Sequence, residues 1–149
     1  MTKQSDAMAR ALDEARRAAA RGEVPIGAVI TRDGEVIAAA GNRTIELRDP
    51  TAHAELLAIR DAAALLGSER LTDCDLHVTL EPCTMCAGAI SFARLRRVYY
   101  GARDPKGGAV ESGVRFFAAE TCLHRPEVYG GIAETESAEL LRGFFAGRR

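Results

Sequence analysis

Val78-Thr79-Leu80-Glu81-Pro82-Cys83-Thr84-Met85-Cys86-Ala87-Gly88-Ala89 is the stretch from which the fold is read. It continues a run in which Leu76, Val78 and Leu80 alternate with His77, Thr79 and Glu81, the period of a strand. Pro82 ends that strand. Residues 83–94 go on as a helix through Ala87, Ile90 and Ala93, and residues 98–101 form a further strand. Strand, helix, strand in that order predicts a crossover and a parallel pair. Cys83 and Cys86 share one face of the helix's first turn. N–H groups there lack partners within the helix and carry partial positive charge, which favours thiolate over thiol.

Working outward, residues 5–21 read as a helix, with Met8, Leu12, Ala15 and Ala19 at helical spacing and Gly22 as its stop. Residues 24–31 and 35–40 are β-favouring runs on either side of Arg32-Asp33-Gly34, a hairpin signal. Gly27 inside the first of these predicts close approach by a neighbour, a ligand among the candidates. Residues 41–49 form a polar loop, and Asp49 and Pro50 are expected to open a helix that runs to Leu66 with Gly67 as its stop. Its expected apolar stripe is Ala52, Leu56, Ile59, Ala63 and Leu66. Residues 103–113, with their glycines and a proline, read as a mobile loop. Residues 123–129 read as loop or short edge strand, and residues 135–146 as a last helix. Together these predict an α/β chain: a mixed sheet with helices on both faces, as one domain over residues 1–149.

The chemistry follows from what joins the two cysteines. Upstream lies Thr51-Ala52-His53-Ala54-Glu55. His53, Cys83 and Cys86 make a donor set suited to zinc, and three protein ligands leave a fourth tetrahedral position for water. A catalytic zinc acidifies that water, so that hydroxide exists near neutral pH. Glu55 then stands as a proton shuttle between attacking water, ring nitrogen and leaving amine. His-x-Glu followed by Pro-Cys-x-x-Cys is the signature of zinc deaminases of nucleobases. The competing reading is a closed four-ligand site completed by Cys74 or His124, which would make the chain a zinc-stabilised binding module. Otherwise Cys74 and Cys122 are small apolar fillers.

Composition sets the outer bounds. A chain of 149 residues, 47% hydrophobic and 28% charged, suits one globular core. No apolar run approaches the ~20 residues of a membrane span. Asp6, Asp13 and Glu14 argue against a transit peptide, so the expected location is cytoplasmic. The net charge of −1 excludes a protein coated in basic residues but leaves room for a local basic surface. Candidates for that surface are Arg94, Arg96, Arg97, Lys106, Arg115, Arg142, Arg148 and Arg149.

The chain closely resembles the bacterial tRNA-specific adenosine deaminases of the cytidine deaminase-like superfamily. The likeness runs through Val24-Pro25-Ile26-Gly27-Ala28-Val29, Gly41-Asn42-Arg43, residues 49–55, residues 78–89, and Gly101-Ala102-Arg103-Asp104 with Lys106. It continues into Leu140-Leu141, Phe144-Phe145 and Arg148-Arg149. The resemblance implies a three-layer α/β/α sandwich with a five-stranded mixed sheet, a homodimer, and one zinc per subunit held by His53, Cys83 and Cys86. It implies deamination of adenosine to inosine at the wobble position of a tRNA anticodon, with Glu55 catalytic. By motif match, Ile26 and Asn42 contact the purine, Asp104 and Lys106 lie in the loop that approaches the anticodon stem-loop, and Arg142, Phe145 and Arg148 sit near the RNA. The family commonly carries an Asn-His pair after its substrate loop. Here residues 122–129 read Cys-Leu-His-Arg-Pro-Glu-Val-Tyr, and residues 110–117 also depart from the usual pattern. Those departures keep a second function in play, deamination of a free nucleobase or nucleoside such as guanine or cytosine.

Overall fold

A computed structural model describes residues 3–147. The elements in chain order are α1 (Lys3–Ala20), β1 (Gly27–Arg32), β2 (Glu35–Gly41), α2 (Ala54–Leu66), β3 (Cys74–Leu80), α3 (Thr84–Ala93), β4 (Arg97–Ala102), β5 (Glu127–Tyr129) and α4 (Glu134–Ala146). A short 3₁₀ turn, Phe116–Ala118, precedes β5. The five strands form one sheet in the order β2-β1-β3-β4-β5. β1 runs antiparallel to β2 and β3, whereas β3, β4 and β5 are parallel. The expected mixed sheet and the parallel β3–β4 pair are therefore present, and residues 127–129 form the edge strand.

Two apolar layers cover the sheet. Ala28, Ile30, Leu76 and Val78 face a core shared with Ala58 and Ala62 of α2 and Ala87 and Ile90 of α3. Val29 faces the other way, onto Ala7, Met8, Ala11 and Leu12 of α1, with Leu140 of α4 alongside. The alternation along β1 thus feeds both layers. β3 is buried over Cys74–Leu80 except for partial exposure at Leu80, because helices cover both its faces.

Local chemistry sets the turns. Asp33 (φ 51°) and Gly34 (φ 79°) both take positive φ between the paired residues Arg32 and Glu35, the backbone of a two-residue hairpin. Gly27 does answer a close approach, but the neighbour is α1. A Cβ there would overlap the Ala11 carbonyl oxygen and lie 2.7 Å from the Ala15 nitrogen. The alanines of α1 let a helix backbone rest on the strand, so Gly27 makes room for α1 and not for a ligand.

α2 begins later than its sequence suggests. The Asp49 carboxylate accepts from the Thr51 N–H at 2.9 Å and the Thr51 hydroxyl at 2.7 Å, which holds residues 49–51 in a turn. His53 (φ −74°, ψ 152°) is the residue before the helix, and Glu55 is in its first turn. The stripe that α2 buries is Ala54, Ala58 and Ala62, displaced from the one read by hydropathy. Small residues face the sheet most closely, while Ile59 and Leu66 of the expected stripe, with Leu57, pack partly buried against the same core.

Candidate metal centre and substrate groove

β3 delivers its C-terminal end to the start of α3, and α2 brings its own N-terminus to the same place. Cys83 is the residue before α3, in extended backbone (φ −76°, ψ 175°), and Cys86 lies in the helix's first turn, fully buried. Neither Cys83 nor His53 uses its side chain to cap its helix. Both are therefore free to point at a shared third body. The Nδ1 atom of His53 lies 3.6 Å from the Cys83 sulfur and 3.6 Å from the Cys86 sulfur. Zinc bonds of about 2.3 Å to sulfur and about 2.0–2.1 Å to nitrogen, at a tetrahedral angle, put such donors about 3.5–3.6 Å apart. The residues fit the ion without rearrangement.

Among the described residues, only these three offer His, Cys, Asp or Glu ligand atoms that all lie within 4.8 Å of one another. Cys74 and His124 stand outside the group. Cys74 is buried at the start of β3, where its thiol faces Asp73, and the His124 Nε2–H donates to the Leu95 carbonyl at 2.6 Å. The closed four-ligand reading loses both of its proposed members.

The electrostatics suit a cation. A hydrogen bond from the Cys86 thiol, opposed by burial and helped by His53, brings the Cys83 thiol down to about 4. Cys86 is pushed up by that same shared bond, then by burial and by Glu55, so the pair keeps one proton between them. The bond with Cys83 raises His53. Glu55 is buried in the first turn of α2, and desolvation pushes its carboxyl up to about 7, with Cys83 acting in the same direction. A carboxyl near 7 can both take and give a proton at neutral pH. A divalent ion would relieve the crowding of negative charge that the cluster shows.

Beside the centre, hydrogen bonds tie the neighbouring segments together. The Gly27 N–H donates to the Thr79 hydroxyl, Asn42 N–H to the Ile26 carbonyl, and Arg43 N–H to the Ala52 carbonyl. Asn42 is buried, and its amide nitrogen reaches the Thr44 hydroxyl at 3.4 Å. A groove of about 560 Å³ is lined by Ile26, Leu80, Arg103, Asp104, Lys106 and Phe145, among others. Ile26, Asp104, Lys106 and Phe145 are thus brought together, whereas Asn42 does not line that groove. Arg142 and Phe145 share a neighbouring apolar hollow on α4. Arg148 lies outside the described residues, as does Arg149.

Two expectations fail here. Arg96 and Arg97 are not open cations. Arg96 donates twice to the Asp75 carboxylate, at 3.0 and 2.9 Å, and Arg97 pairs with Glu127 at 3.3 Å. Residues 103–113 are not loosely held either. Asp104 N–H, Val110 N–H, Glu111 N–H, Ser112 N–H and the Ser112 hydroxyl all donate to the buried Glu81 carboxylate. Burial raises this carboxyl, but the N–H groups of Asp104, Ser112 and Glu111 outweigh that and hold it below the usual carboxylate range. The Tyr100 hydroxyl adds a bond to Glu111 from outside the loop. Glu81 is hard to single out in the sequence because it falls on a polar beat of an alternating strand. The available signal was a carboxylate directly beside Pro82 in a strand covered on both faces.

A family model described as the cytidine and deoxycytidylate deaminase zinc-binding region matches residues 1–102. A protein of Agrobacterium fabrum named tRNA-specific adenosine deaminase is 65% identical over 149 residues, covering 100% of this chain and 98% of that one. A solved structure from a study of A-to-I editing by tRNA:A34 deaminases at the wobble position of transfer RNA has a TM-score of 0.90. It is 68% identical, with 91% of this chain and 99% of that chain covered. A guanine deaminase from Nitrosomonas europaea is more distant, at 26% identity and a TM-score of 0.77, with 95% and 84% covered.

Proposed function

The chain belongs to the zinc-binding cytidine and deoxycytidylate deaminase family and, within it, to the tRNA-specific adenosine deaminases, and from that premise we propose that it converts adenosine to inosine at the wobble position of a tRNA anticodon. The observation that carries the chemistry is the convergence of His53, Cys83 and Cys86, with the buried Glu55 in the adjoining helix turn. These three residues would hold the zinc. A zinc bound there would acidify a water enough for it to attack a purine carbon near neutral pH.

The chain's own groups do the rest. Glu55 takes one proton of the attacking water and passes it to the ring nitrogen, then carries the second proton, from the added hydroxyl, to the amino group, which leaves as ammonia as the carbonyl forms. Water and adenosine thus become inosine and ammonia. Ile26, Asp104, Lys106 and Phe145 line the groove that receives the splayed nucleotide and its neighbours, since a stacked base cannot reach the ion. Asn42 holds the Ile26 main chain through its N–H, so its part is to position Ile26 at the groove rather than to line it. Arg142, beside Phe145 on α4, extends the cationic side toward the anticodon stem-loop.

The proposed assembly is a homodimer working in the cytoplasm. Phe92, 79% exposed near the end of α3, and Leu123, 78% exposed, project from segments that Ser91 ties together by bonding to Cys122 and His124. Large exposed apolar side chains on joined segments favour a protein neighbour. None of the described helices is long and apolar enough to cross a membrane.

The test is direct. Zinc-loaded protein is incubated with an anticodon stem-loop bearing a wobble adenosine, and in parallel with free guanine, cytosine and adenosine. Inosine in the RNA, lost in Glu55→Ala with zinc retained, is the expected result. Ammonia from free guanine alone would move the chain to the function of its distant relative.

A further inference from the structure

We propose that Glu81 is a positioning residue, a single buried carboxylate that fixes the substrate-side loop to the metal-binding turn. Its effect on turnover rests on the deaminase reading above; its mechanical role does not.

The geometry is specific. Glu81 is 2% exposed and stands two residues before the metal ligand Cys83. One oxygen accepts from the Asp104 N–H at 2.9 Å and the Ser112 hydroxyl at 3.0 Å. The other accepts from the N–H groups of Val110, Glu111 and Ser112, at 3.1, 2.8 and 2.9 Å. Both ends of the loop therefore close on one group. The main chain repeats the link, because the Ala109 N–H donates to the Pro82 carbonyl at 2.8 Å and Gly108 bridges to Cys83.

Gly108 supplies an independent sign that the loop is built around this carboxylate. A Cβ at Gly108 would lie 2.6 Å from the Glu81 carboxyl carbon and 2.6 Å from the Asp104 carbonyl oxygen. Only a glycine allows the approach. Asp104 and Lys106, which face the groove, hang from the part of the loop between these ties. Their distance from the Cys83 turn is set by Glu81, as a glutamine cannot set it. An amide offers one accepting oxygen and turns an N–H group against backbone donors.

The experiment compares wild type, Glu81→Gln and Gly108→Ala in the zinc-loaded full chain. The readouts are zinc per chain, amide hydrogen exchange at residues 104 and 110–112, and kcat and KM on the wobble-adenosine stem-loop. Zinc should stay at the wild-type level and exchange at those amides should quicken. kcat/KM should fall roughly 10- to 100-fold, mainly through KM, because a displaced wall weakens binding before it touches chemistry. Gly108→Ala moves the carboxylate without removing it and should act in the same direction, which keeps the test alive if Glu81→Gln does not fold. Unchanged exchange would overturn the mechanical claim. Loss of zinc together with kcat would assign Glu81 to the metal turn instead. Faster exchange with unaltered kinetics would remove the loop from substrate positioning. If wild type leaves the stem-loop untouched, the substrate reading fails while the exchange and zinc data still decide the role of Glu81.

Discussion

The metal turn and the loop beside it are built on opposite plans. In residues 82–86 the functional atoms are side chains, and their separation is set by helix geometry over one turn. In residues 103–113 the groups that fix the structure are mostly backbone N–H donors, gathered on a carboxylate that belongs to β3. The first plan writes its chemistry into residue letters and spacing. The second writes almost nothing, since every residue except proline carries an N–H. A chemical centre and a positioning device can thus sit side by side with very different visibility.

That contrast predicts different responses to substitution. The largest effect belongs to the metal turn. Cys86→Ala should lower bound zinc from one per chain to none, by metal analysis, and bring deamination below detection. Exchange protection at residues 110–112 should survive, because Glu81 and its donors are untouched. Loss of that protection as well would merge the two regions into one.

Next comes Glu55, the proposed proton shuttle. Glu55→Gln keeps the shape of a buried residue that is not among the metal-ligand trio. Turnover should fall by roughly 10²–10⁴-fold with full zinc content. A drop confined to KM would deny Glu55 its role in chemistry.

The middle of β3 offers a control that belongs to neither region. His77 stacks on Tyr99, and its Nε2 meets the Thr31 hydroxyl at 3.1 Å. Burial brings its imidazole down from 6.5 to about 4. The unfolded chain therefore takes up a proton below about 6.5 that the folded chain refuses until about 4. This contribution to stability is complete above that window and is lost as pH falls through it, up to about 3 kcal/mol. Denaturant midpoints between pH 7 and pH 4.5 should fall more steeply for wild type than for His77→Phe, which keeps a ring but cannot titrate. Parallel curves would show that His77 is not held neutral.

The smallest effect separates two cations that look alike in sequence. Arg96 is committed to Asp75, so Arg96→Ala should cost only about 1 kcal/mol or less of stability and leave KM for the stem-loop within about twofold of wild type. Lys106 faces the groove, and Lys106→Ala should raise KM several-fold, about 1 kcal/mol of binding. Equal effects would mean that the groove is not where the RNA lies.

Much of the architecture was legible because it rests on local signals. Alternation marked β3, Asp33-Gly34 marked the hairpin, and the strand–helix–strand order around Cys83 required the parallel pair. His53, Cys83 and Cys86 were legible through the chemistry of their ligand atoms. What stayed hidden depends on distant partners. Gly27 is small because α1 lies on it, a contact with Ala11 and Ala15 that no local pattern announces. α2 buries its alanines fully and Leu57, Ile59 and Leu66 only in part, because close helix–sheet approach favours small side chains there. Arg96 looked free until Asp75, 21 residues away, was brought beside it. Glu81 was hidden by the same cause, and all but one of its five donors are backbone N–H groups.

The claim on which the account turns is that the metal has three protein ligands and one open position. X-ray absorption at the zinc edge of the purified holoprotein tests it most directly. The prediction is two sulfurs at about 2.3 Å and two light atoms at about 2.0–2.1 Å, with the scattering of a single imidazole. A sphere with three sulfurs or two imidazoles would show that side chains fill the fourth position, and would contradict a hydrolytic centre here.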